Sequence, residues 1–121
     1  MTGSRQPFAH DAVLVLDPDG DENAPGGAIT IALCGRWSHE PPCPLAPHHT
    51  RVHRTDREVN LRLLFAADPA DEARVRALVE EVLARGWGDT PDGRTCWDLV
   101  ESGPSAVSED ELAHARRLLR S

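Results

Sequence analysis

At 121 residues the chain has the size of one folding unit, and its 40% apolar and 27% charged content suits a packed domain rather than a disordered tail. A net charge of -7, with 13 arginines scattered along the sequence, opposes wrapping a phosphate backbone and argues against a nucleic-acid partner. No run approaches the roughly 18 apolar residues that cross a bilayer. Met1 to His10 lacks the apolar block of a signal peptide, and three cysteines without an export signal point to a reducing, cytoplasmic compartment.

In chain order, Ala12 to Leu16 is a short apolar run stopped by Asp17-Pro18-Asp19-Gly20, the pattern of a buried strand and a turn. Alternate oxygens from Asp17 onward suggest a calcium loop, but Gly20 and Ala28 break its ligand pattern, so 17–27 reads as a solvated connection. Ala28 to Cys34 alternates Ile29, Ile31 and Leu33 with Thr30, Ala32 and Cys34, which predicts a half-buried strand. Five Gly or Pro residues between Gly35 and Pro47 then predict a stiff, extended loop.

Thr50 to Thr55 and Glu58 to Ala66 flank the polar turn Asp56-Arg57 as a hairpin, with Val59, Leu61, Leu63 and Phe65 on one face. Asp68-Pro69 starts a helix carrying Val75, Leu78, Val79 and Val82, and Gly86 stops it. Thr95 to Val100 reads as a strand. Ser108 and Glu111 form a capping box for a last helix bearing Leu112, Ala115 and Leu119. The expected order is ββββαβα: an α+β single domain over 1–121, an antiparallel sheet of four to five strands with two helices on one face. Its exposed sheet edges favour a homodimer.

Chemistry concentrates in residues 34–53. Cys34, His39, Cys43, His48, His49 and His53 are six of the nine cysteines and histidines. Thiolate and imidazole suit zinc, and prolines 41, 42, 44 and 47 would lower the entropy lost when donors are pinned around an ion. The expected ligands are Cys34, His39, Cys43 and one or both of His48 and His49, which makes the chain a small Zn2+-binding protein of structural or regulatory role. Adjacent His48 and His49 would point oppositely on an extended chain, leaving one ligand choice between them.

Two alternatives accompany this reading. In the first, the chain is an enzyme using His49 and His48 as acid and base, or in metal-assisted hydrolysis, with Asp98 as a further candidate and Trp37 over the pocket. In the second, the proline-stiffened loop is a surface for a protein partner. The basic hairpin residues Arg51, Arg54, Arg57 and Arg62 alternate with acids as on an exposed sheet face. Cys96 reads as a small buried hydrophobe, His10 and His114 as surface groups, and each tryptophan as core-edge packing with its N–H satisfied.

His48-His49, Val52 and the strand from Val59 to Leu63 resemble the His-His-Pro and hairpin of pterin carbinolamine dehydratases, a likeness implying that the two histidines act on a bound pterin. Thr50 stands in place of that proline and Phe65-Ala66-Ala67 in place of the expected Thr-His, so the family is not assigned.

Overall fold

The structure, a computed structural model, describes residues 5–34, 47–91 and 93–119, with the backbone alone for Cys34 and Leu119. Its elements are β1 (Gln6–Leu16), α1 (Ala24–Cys34), β2 (His48–Thr55), β3 (Glu58–Ala67), α2 (Glu72–Arg85), β4 (Trp87–Thr90), β5 (Gly93–Ser105) and α3 (Leu112–Leu119). The strands form one antiparallel sheet in the order β2-β3-β1-β5-β4. The α+β class and antiparallel sheet are as expected, but the order is βαββαββα rather than ββββαβα.

The difference begins at 28–34, which is helix and not strand. Alternation of Ile and Thr imitated a strand because α1 has almost no polar face: Ala24 to Ile29 are all buried, so a 3.6-residue period cannot appear in its hydrophobicity. Pro25 fits a first helical turn, and the amides of Ala24 and Gly27 bond the carbonyls of Asp21 and Asn23. Gly26 sets how closely α1 approaches β2, since a Cβ there would lie 2.7 Å from Thr50 Oγ1.

β1 is the central strand, pairing with β3 along its length and with β5 across a bulge between Val13 and Leu14. One face carries Leu14 and Leu16 with Val59, Leu61, Leu63 and Phe65, and it packs under α1 and α2 through Ile29, Val75, Val79 and Leu83. Burying a side chain of this size contributes about 1.5–3 kcal/mol, which makes this the main source of stability. Asp68 caps the turn before α2 through its bond from the Ala70 amide, and Gly86 ends α2 at φ 83°. The Trp97 indole N–H donates to the Leu83 carbonyl at 2.9 Å, tying β5 to that helix.

The opposite face is covered only in part. There α3 packs on β3 and β1, burying Ala115 against the side of the sheet that carries Ala9, Leu64 and Ala66. The two expected helices, α2 and α3, therefore lie on opposite faces rather than one, and α1, expected as a strand, shares the face of α2. Strand β4, not among the expected strands, forms one edge of the sheet, and β2 forms the other. No helix among the described residues is long and apolar enough to cross a membrane.

Candidate functional site

Four of the six clustered donors can be located by backbone, and two cannot: His39 and Cys43 lie outside the described residues. Cys34 is the last residue of α1, and His48 and His49 open β2. Because β2 is extended, His48 pairs opposite Phe65 on the core side while His49 pairs opposite Leu64 on the α3 side. The two imidazoles therefore cannot share one ion, and they cannot flank one pterin. His53 lies on the same face as His49, two strand repeats away.

His48 faces α1. Its Nε2 is 3.0 Å from Thr30 Oγ1, and that hydroxyl donates to the Gly26 carbonyl at 3.1 Å. With its one proton committed to Gly26, the Thr30 hydroxyl accepts from His48 Nε2–H. The Thr30–His48 contact thus joins the last two turns of α1 to the first residue of β2. Among the described residues, no three His, Cys, Asp or Glu side chains converge as a metal site.

The expected acid/base set does not assemble. Asp98 pairs with Val15, whereas His49 lies in the row of Leu64 and Ala9, six residues along β1, or roughly 20 Å. His49 instead stacks on His114, with ring centroids 4.4 Å apart. Burial, then the neighbouring His114 and Arg51, push its pKa below the ordinary value.

A buried imidazole appears where none was expected. His10, read from sequence as a surface group, is fully buried because β1 runs on from Ala12 to Gln6 and turns it toward α2. Arg76 Nη1 lies 3.0 Å from Nδ1, and Ser102 Oγ lies 2.8 Å from Nε2. A guanidinium only donates, so Nδ1 accepts and the proton sits on Nε2. His10 therefore donates to Ser102 and cannot take its proton, which disqualifies the pair as a nucleophile and base despite its short distance.

Burial first, then Arg76, lower the His10 pKa, against smaller opposing effects of Glu80 and Asp11. The unfolded chain then binds more protons than the folded one below about pH 6.5, so stability is complete above that value and declines as pH falls toward the folded pKa. His10→Gln should flatten this decline, and urea unfolding midpoints at about pH 7 and pH 5 measure it.

The open side of the sheet is organised by Arg62. Its Nε and Nη2 donate to both oxygens of Glu111 at 2.7 and 2.6 Å, and Nη1 donates to Asp11 at 2.9 Å and Ser105 at 3.1 Å. Nη2 also reaches the Ala106 carbonyl at 2.6 Å, so all five N–H groups are engaged. Glu111 in turn accepts from the amide and hydroxyl of Ser108, completing the expected capping box. The Arg62 guanidinium beside Glu111 holds the carboxyl pKa down to about 2.

The other hairpin arginines divide by role. Arg54 bonds the carbonyls of Gly20, Pro18 and Asp56, and Arg57 bonds that of Leu16. Arg51 remains exposed, 3.9 Å from an already occupied Glu111 oxygen. Cys96 is exposed rather than buried, because Thr95 and Trp97 take the core side of β5. Trp87 lies between Arg85 and Arg94, 4.0 and 3.9 Å from its ring centroid, and Trp37 is outside the described residues. Comparison with protein-family models, curated proteins and solved structures finds no match, so the chemistry of these residues alone carries the functional reading.

Proposed function

We propose that the chain is a small cytoplasmic zinc-binding protein whose ion is held by Cys34, His39, Cys43 and His48, and that the ion fixes the segment joining α1 to β2. The observation that carries this reading is the Gly26–Thr30–His48 relay. Metal-bound histidines characteristically donate one ring N–H to an oxygen that fixes tautomer and orientation, and Thr30 stands as that oxygen beside His48. Cys34, one helical turn after Thr30, stands at the same end of α1. Two thiolates and two imidazoles suit Zn2+ and saturate a tetrahedron, which gives the ion a structural role and no position for substrate.

The opposed orientations of His48 and His49 give the test its control. Cobalt added to the metal-stripped chain should give the intense visible bands of a tetrahedral thiolate site. His48→Ala and Cys43→Ser should abolish these bands, and His49→Ala should leave them unchanged. Thr30→Val, which removes only the orienting hydroxyl, should weaken zinc binding by about tenfold. Cobalt spectra that survive His48→Ala but fail in His49→Ala would reverse the ligand choice.

A further inference from the structure

On the α3 side of the sheet, away from the α1–β2 junction, the curled strands leave an open trough of about 810 Å³. That volume is within the range of small-molecule sites, roughly 300–1,000 Å³. Charge is divided across it. Arg51, His53 and Asn60 rise from β2 and β3 on one side, and Glu101 rises from β5 on the other. Between them, Arg62 and Asp11 are committed to each other at 2.9 Å.

The groups at the two rims are not so committed. Among the described residues, the polar contact of Arg51 is the 3.9 Å approach to Glu111, and its side chain is 68% exposed. His53 and Glu101 are exposed, and among the described residues the side chain of neither makes a hydrogen bond or ion pair. A ligand meeting both rims needs an anionic end for the guanidinium, which binds a carboxylate in bidentate fashion, and a cationic end for Glu101. A ligand of single charge would satisfy one rim and meet repulsion at the other.

Size narrows the class further. Arg51 and Glu101 are separated by three strand spacings, about 14 Å, and by two residues along the strands, about 7 Å, so roughly 16 Å between backbones, from which the two side chains subtract several ångströms. The charges of one free amino acid are too close together to bridge the remainder, whereas each extended residue adds ~3.3–3.6 Å. We infer that the trough binds a di- or tripeptide with free termini, its carboxylate on Arg51 and its ammonium on Glu101.

Trialanine titrated into the isotope-labelled full chain tests this by NMR. The amides of Arg51, His53 and Glu101 should shift and saturate. Arg51→Gln should weaken binding by about tenfold or more. N-acetylation of the peptide and Glu101→Gln should each weaken it by about threefold to tenfold, without adding to each other, because both remove the same ion pair. Unshifted amides, equal binding of acetylated and free trialanine, or unchanged affinity in Arg51→Gln would overturn the assignment. So would acetate binding as tightly as trialanine, since that would make the trough a simple anion site. Arg51 and Glu101 are surface residues, so a circular dichroism spectrum matching that of the parent confirms that each variant is folded.

Discussion

Replacing Arg62 with methionine should cost about 3 kcal/mol of folding free energy and lower Tm on the order of 10 °C, the largest single effect expected outside the apolar core. The guanidinium joins β3, β1 and the approach to α3 through five donors, and no one acceptor accounts for its contribution. Its loss leaves Glu111, a buried carboxylate, without its cation, and breaking one member of such a pair exposes the desolvation cost of the other. Methionine keeps the length of the aliphatic stem, so the change reports charge and hydrogen bonding more than packing.

The pH dependence supplies an independent signature of that clamp. A carboxyl held at about 2 in the fold and near its ordinary 4.5 when unfolded contributes stability that is complete above pH 4.5 and is lost as pH falls through 2. Partial exposure of the arginine screens the pair, so the contribution is on the order of 2 kcal/mol. Arg62→Met should show its full deficit relative to the parent at neutral pH and lose little more on this account between pH 4.5 and 3. The parent should converge toward it over the same interval in urea unfolding curves.

The second large effect expected is that of removing zinc from the proposed site. An ion that binds the folded chain alone stabilises it by RT ln(1 + [Zn]/Kd), about 2.7 kcal/mol when free zinc is a hundredfold above Kd. A strong chelator should therefore lower Tm by roughly 5–10 °C, and the loss should be absent in Cys43→Ser and His48→Ala, which have no complete site to empty. Arg62 lies on the face of the sheet opposite to His48, so chelation and Arg62→Met should act additively. Equal chelator sensitivity in the parent and His48→Ala would separate zinc from the stability of the fold.

How much of this was readable from sequence depends on whether an element shows a polar face. The β2–β3 hairpin and α2 were legible because β2, the first half of β3 and one side of α2 are wet, so alternation in the hairpin and the 3.6-residue period in the helix survive in the residue order. The Ser108–Glu111 box was legible for a local reason, its two bonds closing within one turn. Helix α1 was hidden by the reverse condition, since a segment buried nearly all round shows no period, and Ile29, Thr30 and Ile31 carry strand-like preference. Packing against α2 and β4 supplies what local propensity does not.

The candidate sites follow the same division. That His48 and His49 face apart follows from strand geometry alone, but which of them faces α1 depends on the register with β3. Arg62 and Arg51 are indistinguishable in sequence, both arginines in a basic hairpin. The pairing places them directly opposite one another, and only the arrival of Glu111 from a distant turn makes one a clamp and leaves the other open. His10 was misjudged because a single polar residue among apolar ones does not disclose that Arg76 and Ser102 will meet it inside the fold.

Metal content is the measurement that tests the central claim most directly. The untagged chain, purified without chelators and analysed for transition metals by mass spectrometry, should carry about one equivalent of zinc, falling to background in Cys43→Ser and His48→Ala and unchanged in His49→Ala. Less than half an equivalent of any transition metal in the parent, or full zinc in both ligand variants, would contradict the account.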